Sequence, residues 1–257
     1  MDTVSLYYQF SMAMIIRELK STFHQKLRLM SALVRPLLWL WILGFGLTSM
    51  THIPGVNNYQ IFLVPGLLGL TLLFGCVLAA MSFVMDQQAG LHRLISTAPV
   101  CRSWVIITSV VSMSLVGLVQ ISILLLVVAP LGYVEPSIHI LKSVGALILV
   151  ALNCSSIGLL MATSMRHFQA FAGIMNFLIF PMFFLSGALY PTHHMPTLLQ
   201  YLIYANPFAH GVNLLHHYFN LPTVTIAPPE WSILYIVGIS LVCVSISVMQ
   251  YKRRFIG

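Results

Sequence analysis

Histidine is the residue type most able to do chemistry in this sequence, because five of the ten histidines crowd into the stretch Ala188–Glu230. They are His193, His194, His210, His216 and His217. A zinc enzyme built on histidines also needs a carboxylate base, as in HExxH. The sequence has no HExxH, and of its acidic residues only Glu135 and Glu230 fall on the same predicted side of the membrane. We therefore predict no metal site, and interpret these histidines as polar aromatic side chains at a membrane boundary.

Other catalytic patterns do not stand out. No Ser/His/Asp or Cys/His constellation is apparent, and the four cysteines form neither a CxxC motif nor a disulfide framework. No Gly-Lys pair occurs anywhere, so the sequence has no GxxxxGK[ST] loop to hold the phosphates of ATP. We predict a non-catalytic chain without a cofactor of its own.

The most informative polar stretch is DQQAGLHRLISTAPVCR, Asp86–Arg102, which lies between the apolar runs Ile61–Met85 and Trp104–Leu131. Its basic residues Arg93 and Arg102 form the only basic cluster between positions 36 and 165. An apolar ridge accompanies them, consisting of Leu91, Leu94 and Ile95. A polar, helix-compatible segment between two spans can be contacted from one side of the membrane, so we predict a docking segment for a partner. The alternative is an ordinary basic loop that only orients the spans.

Composition indicates a membrane protein. Hydrophobic residues make up 59% of the 257 residues and charged residues only 7%, whereas an ordinary soluble domain is about one-quarter charged. Twelve Lys and Arg stand against five Asp and Glu, but the basic residues are dispersed between apolar runs without a basic stripe. Nucleic-acid binding is therefore not expected.

Six segments are long and apolar enough to cross a bilayer, which takes about 20 residues. They are Val34–Thr51, Ile61–Met85, Trp104–Leu131, Ser143–Met165, Phe168–Gly187 and Trp231–Met249. We predict an all-α membrane protein with six transmembrane helices in a single domain, 1–257. Arg35 lies at the entry of the first span, where its side chain could extend back to the headgroups.

Lys and Arg accumulate on the cytoplasmic side of membrane proteins, which predicts the orientation. With six spans, eleven of the twelve basic residues fall on one side, and Lys142 is the exception. The segment Thr51–Gln60 and the long segment Ala188–Glu230 contain none. Both termini are therefore expected in the cytoplasm.

Two further amphipathic regions flank the spans. Residues 4–28 have apolar residues at a spacing of three to four and a basic opposite face, which predicts a helix on the membrane surface or, alternatively, one packed on a partner. The stretch 188–230 contains the short runs LLQYLIY and FAHGVNLLHHYF, with Pro196 and Pro207 suited to first turns and Asn206 to an N-cap. We predict two short re-entrant helices in the outer leaflet between spans five and six.

These features resemble the permease subunits of ABC-2 type exporters, which include drug, lipo-oligosaccharide and polysaccharide export permeases. The family's motif after span two is similar to an acidic residue, a Gly four positions on, a basic residue, then Pro and a closing Arg. In this sequence those positions are Asp86, Gly90, Arg93, Pro99 and Arg102. FPMFFLSGALYP, Phe180–Pro191, followed by Asn206-Pro207, is similar to the family's span-five exit and outer helices.

The resemblance implies that Asp86–Arg102 is a cytoplasmic coupling helix between spans two and three, inserted into a cleft on a separate ATPase that holds ATP and Mg²⁺. The expected ATPase-coupling residues are Asp86, Gln88, Gly90, Leu91, Arg93, Leu94, Pro99 and Arg102. Gln88 stands where many members have Glu, which leaves Asp86 as the only carboxylate of the segment.

The resemblance also implies a translocation path between spans two and five, with Phe74, Asn176, Phe177 and Phe183 as the candidate lining residues. Asn176, Gln120 and Asn153 are polar residues inside spans, where they are costly and often functional. A hydrogen bond between helices is an equally good explanation of Asn176. For the phenylalanines, plain packing is the alternative.

The prediction from sequence is therefore the permease subunit of an ABC transporter in the bacterial inner membrane. It would pair with itself and with two copies of an ABC ATPase, and export an amphipathic substrate such as a lipid, a drug-like metabolite, a lipo-oligosaccharide or a polysaccharide. One rival hypothesis is a membrane scaffold in a complex that does not transport. Another is an intramembrane enzyme that depends on the outer histidines.

Overall fold

The structure is a computed structural model that describes residues 3–46, 59–95, 100–133, 139–165, 167–190, 192, 195–221 and 226–254. The described residues form α-helices and connecting turns, without a β-strand among them, which confirms the all-α prediction. The helices are α1 (Thr3–His24), α2 (Lys26–Gly46), α3 (Tyr59–Gln88), α4 (Leu91–Ile95), α5 (Arg102–Val128), α6 (Ile140–Ser164), α7 (Phe168–Phe184), α8 (Thr197–Ala205), α9 (Pro207–Tyr218) and α10 (Pro229–Arg254). A 3₁₀ turn, Ala129–Leu131, extends α5.

Helix α3 is the centre of the bundle. It is apolar on every face, so it can be buried on every face, and it packs against α2, α5, α6, α7 and α9. Glycines allow its neighbours to approach closely: a Cβ added at Gly66 would lie 2.6 Å from the carbonyl oxygen of Ala188, and one at Gly75 would lie 2.3 Å from Oε1 of Gln120. The close packing around α3 fixes the positions of the helices beside it.

Within the described residues, four helical stretches are long and apolar enough to span a membrane, and two shorter apolar stretches accompany them. The long stretches are Tyr59–Gln88, Arg102–Leu131, Ile140–Ser164 and Pro229–Arg254, and the shorter ones are Leu33–Gly46 and Phe168–Phe184. The chain is thus a multi-pass membrane protein. The predicted end of the first span, residues 47–51, lies outside the described residues.

The prediction for Arg35 was wrong. Helix α2 begins at Lys26 rather than at Val34, so Arg35 lies about 13 Å along it at 1.5 Å per residue. The guanidinium carbon is 4.0 Å from the ring centroid of Phe74. Phe74 lies at the middle of α3, about 21–23 Å from either end of that helix. The side chain is exposed and lies level with the middle of α3 instead of extending back toward the headgroups.

The two short helices α8 and α9 pack at one end of the bundle. Asn206, the predicted N-cap, accepts a hydrogen bond from the backbone N–H of Phe208, and Pro207 takes the first helical position. The Asn206 amide also donates to the carbonyl oxygens of Met182 (2.7 Å) and Leu185 (3.1 Å) at the end of α7. One side chain thus caps α9 and attaches it to α7.

Candidate functional site

The predicted coupling segment Asp86–Arg102 is not a single helix. Asp86 and Gln88 belong to the last turn of α3, and Arg102 is the first residue of α5. Gly90 breaks the helix between them with a φ of +76°, a left-handed conformation that glycine adopts at little cost. The short helix α4 follows, so the described part of the segment contains a turn and one short helix between two long ones, and residues 96–99 lie outside the described residues.

Helix α4 is anchored by His92, which the sequence analysis did not single out. His92 is only 1% exposed, and its Nδ1 lies 3.2 Å from the hydroxyl of Tyr251 in the last turn of α10. Its ring also contacts Phe83 of α3, at a centroid distance of 4.3 Å. Burial lowers the pKa of His92 to about 4, against the opposing effect of the Asp86 charge, so the ring is neutral at neutral pH.

Two further polar contacts attach the same region to the chain termini. Arg17 of α1 pairs with Asp86 at 2.5 Å, so the one carboxylate of the segment is already engaged within the chain. Arg254 of α10 donates hydrogen bonds to Oε1 of Gln87 (2.8 Å) and to the carbonyl oxygen of Met165 (3.1 Å). Helices α1, α3, α4 and α10 therefore meet at one end of the bundle.

We call this end the basic end, after its cations Arg17, Arg102, Lys252, Arg253 and Arg254. Beside α4, Leu94 is 69% exposed, and Met85 and Gln88 are also exposed. Leu91 is half-buried, and Arg93 lies within α4. The predicted residue Pro99 lies outside the described residues.

A second candidate site lies where α2, α3 and α7 meet. Its aromatic side chains form a chain of ring contacts: Trp39 lies 6.0 Å from Phe183 and 6.1 Å from Phe184, and Phe180 lies 6.2 Å from Phe74. The Arg35 guanidinium covers the Phe74 ring, a cation–π contact worth about 0.5–2 kcal/mol. We call this set, Arg35, Trp39, Phe74, Phe180, Phe183 and Phe184, the aromatic groove.

The four predicted path residues divide into two pairs. Phe74 and Phe183 are buried members of the aromatic groove. Asn176 and Phe177 are exposed on α7, and Asn176 lies one helical turn from Phe180 on the same face. The groove therefore continues along the outer face of α7. Trp39 and Arg35 were not predicted as lining residues, although an Arg within an apolar run was a usable signal.

The other predicted polar residues lie deeper in the bundle. The Asn153 amide of α6 donates to Oγ of Ser240 (3.0 Å) and to the carbonyl oxygen of Ile236 (3.4 Å) in α10, a contact between two helices. Gln120 is 2% exposed and packs against Gly75. Both residues are too deeply packed to line the aromatic groove.

Two of the outer histidines, His210 and His216, take part in packing. His216 is buried, stacks on Phe62 and donates a hydrogen bond from Nε2 to the Phe62 carbonyl oxygen at 3.1 Å. His210 is held by the carbonyl oxygen of Tyr204 and the hydroxyl of Ser232, at 3.0 and 3.2 Å. Among the residues with described positions, no group of three metal-ligating side chains occurs. His193 and His194 lie outside that set.

Comparisons with known proteins agree with this architecture. The ABC-2 type transporter family matches residues 9–220, which is most of the chain. The chain is 25% identical over 193 residues to the putative transport permease ycf38 of Cyanophora paradoxa, covering 72% of this chain and 65% of that relative. It is 28% identical over 192 residues to nodulation protein J of Azorhizobium caulinodans, covering 72% and 73% of the two chains.

A third similarity is shorter. The chain is 26% identical over 104 residues to the capsule polysaccharide export inner-membrane protein CtrC of Neisseria meningitidis, covering 40% of this chain and 39% of that relative. The breadth of the family match decides the class: the chain belongs to the ABC-2 type transporter family. Permeases of this family work with an ABC ATPase.

Proposed function

We propose that this chain is the membrane subunit of an ATP-driven exporter, and that two copies of it work with two copies of a separate ABC ATPase. The substrate is an amphipathic molecule that leaves the bacterial cytoplasm or the inner leaflet. The chain has no catalytic role, because ATP and Mg²⁺ are bound by the ATPase. Both termini lie in the cytoplasm.

The observation that carries this proposal is the attachment of α4 at the basic end. Helix α4 is anchored on its inner side by His92 and leaves Leu94 exposed on the other. A short rigid element with one anchored face and one exposed apolar face can transmit a displacement from a partner to the long helices behind it. Because α4 touches α3 and α10 through His92, movement of α4 would be passed to both.

The exposed face of α7 supports pairing of two copies. Asn176 lies near the middle of this apolar helix and is exposed, and an amide facing lipid is costly. A second copy facing α2 and α7 would enclose Asn176 and Phe177 in a path between the two chains. This arrangement would also close the aromatic groove, which is open on one side in a single chain.

The proposal is tested by transport in inside-out membrane vesicles. Vesicles that contain the chain and its ATPase are expected to accumulate fluorescent or radiolabelled amphiphiles only when ATP is added. Replacing the general base of the ATPase should abolish the accumulation and leave the complex assembled. If the assembled complex hydrolyses ATP but no amphiphile alters the hydrolysis rate or accumulates, the scaffold hypothesis replaces this one.

A further inference from the structure

From the position of Arg35 we infer that the exported amphiphile carries an anionic group, such as a phosphate, and that Arg35 in the aromatic groove binds it. This inference rests on the proposed function and names the substrate class for the same path. Arg35 is an exposed residue of α2. The Arg35 guanidinium covers Phe74 at the middle of the spanning helix α3, where a cation is expensive and usually functional.

Arg35 has spare capacity to bind a ligand. A guanidinium has five N–H donors, and only its flat face is used by the Phe74 ring. Among the described residues, no carboxylate pairs with Arg35 and no acceptor takes a hydrogen bond from it. Its edges are therefore available to the oxygens of a phosphate, carboxylate or sulfate, for which the planar fork is well matched.

Among the described residues, no carboxylate supplies a counter-charge for Arg35. The five acidic residues are Asp2, Glu18, Asp86, Glu135 and Glu230. Asp2 precedes α1, Glu18 lies in α1, Asp86 in the last turn of α3 and Glu230 in the first turn of α10. Glu135 falls in the connection between α5 and α6. A second copy of the chain would place its Glu18, Asp86 and Glu230 at the same levels, away from the middle of α3.

The surroundings of Arg35 fit the rest of an amphiphile. An open cavity of about 580 Å³ follows α2 and is lined by Val34, Arg35, Leu38, Trp39, Ile42 and Leu43. All the lining residues belong to α2, so the cavity is an open space along one face of that helix, and all of them except Arg35 are apolar or aromatic. One cation beside an apolar surface is complementary to one anionic group attached to an apolar tail.

The test compares two amphiphiles with the same tail, using the full-length chain in nanodiscs of phosphatidylcholine. The probes are radiolabelled dodecyl phosphate and dodecyl maltoside. Wild-type protein is expected to bind the phosphate more tightly. Arg35→Gln should weaken phosphate binding about tenfold or more and leave maltoside binding unchanged, because it removes a charged hydrogen-bond donor. Arg35→Lys should keep most of the affinity.

Lys142→Gln is the matched control, because it removes one positive charge from an exposed position at the start of α6. It should bind both probes as the wild type does. Equal binding of the two probes by the wild type would overturn the inference even if Arg35→Gln did not fold. Equal weakening of both probes by a folded Arg35→Gln would also overturn it, since Arg35 would then only shape the groove.

Phosphatidylglycerol distinguishes a transported anion from a bilayer lipid. Phosphatidylglycerol gives the bilayer a negative surface potential, which lowers the concentration of dodecyl phosphate equally for both proteins. If the site takes the transported molecule, replacing one-third of the phosphatidylcholine with phosphatidylglycerol should leave the ratio of dodecyl phosphate affinities of wild type and Arg35→Gln unchanged. Competition by phosphatidylglycerol would assign Arg35 to a lipid headgroup and contradict the inference. The binding measurement needs no ATPase, so its failure is separate from a failure of the transport test.

Discussion

The ring of His92 in α4 lies against Tyr251 in the last turn of α10, with Nδ1 3.2 Å from the phenol oxygen. The two residues are 159 positions apart in the sequence. Their contact attaches α4 to the C-terminal helix α10. In the proposed exporter, this contact is the route by which a movement of α4 would reach α10.

Removing the Tyr251 hydroxyl should loosen α4 without unfolding the bundle. Tyr251→Phe loses one hydrogen bond, worth about 1 kcal/mol, so opening of α4 should become about fivefold more frequent. The measurement is the rate of trypsin cleavage after Arg93 in the purified full-length chain. Tyr235→Phe is the matched control, because the Tyr235 hydroxyl donates to the carbonyl oxygen of Ala205 at the opposite end of the bundle. The account is contradicted if both variants are cleaved at the wild-type rate.

Acid pH should release α4. The pKa of His92 is lowered by burial from 6.5 to about 4 in the docked state, so the undocked state binds more protons between these values. The packing of α4 against α3 and α10 therefore becomes less stable as the pH decreases from about 6.5 toward 4. Its stability is constant above this window. Asp86 and Arg17 are the charged groups that act on the ring, in opposite directions. Hydrogen exchange of the backbone amides of Leu91–Ile95, corrected for the intrinsic pH dependence, measures the opening.

The matched variant for this pH effect is His92→Phe, which keeps an aromatic ring and removes the titration. Its exchange at α4 should lose the acid-dependent increase that the wild type shows. An identical pH profile in the two proteins would mean that protonation of His92 does not control the packing of α4 on the bundle.

The predicted orientation can be tested with single cysteines. A variant with Cys101 replaced by Ser is the background, because the native thiol is exposed. Cysteines at Asn57 and Thr223 should react with an impermeant maleimide in intact cells, since the outer connections have few basic residues. Cysteines at Gln88 and Arg253 should react only after the membrane is opened. Labelling of Gln88 in intact cells would overturn the orientation with the basic end inside.

The outer histidines should differ in their effect on stability. His216→Ala removes a buried ring and the hydrogen bond to the Phe62 carbonyl oxygen, so it should cost about 2–4 kcal/mol and lower the melting temperature by several degrees. His217→Ala, at an exposed position of the same helix, should change it little. Similar melting temperatures, or stoichiometric metal in the purified wild type, would contradict the packing role.

The sequence predicted the helices better than it predicted the contacts between them. Apolar length is a local property, and α3 (Tyr59–Gln88) extends the predicted run Ile61–Met85 by only two or three residues at each end. Asn206 was recognisable as an N-cap because the Asn-Pro pair is a local signal. Local patterns of this kind need no knowledge of distant residues.

The site residues were harder because their partners lie far away in the sequence. No local sequence pattern predicts the contact of His92 with Tyr251 or of Arg17 with Asp86. The first contact joins α4 to α10 and the second joins α1 to α3, so both depend on how the helices pack. Arg35 was misplaced because α2 begins eight residues before the apolar run. Leu91, Leu94 and Gly90 were predicted as coupling residues from the sequence, but the turn at Gly90 was not distinguished from continuous helix.

The measurement that tests the central claim most directly is co-purification of the ATPase with variants of α4. Leu91→Asp combined with Leu94→Asp places two charges on the proposed contact surface, outside the hydrocarbon, so the spans should still insert. Unpaired charges buried at an interface cost several kcal/mol, enough to lower the affinity more than a hundredfold. Leu198→Asp combined with Leu202→Asp is the control, because both leucines are exposed on α8 at the opposite end. We expect the α4 variant to lose the ATPase and ATP-dependent transport while the α8 control retains both; an α4 variant that still binds the ATPase and transports at the wild-type rate would contradict the account.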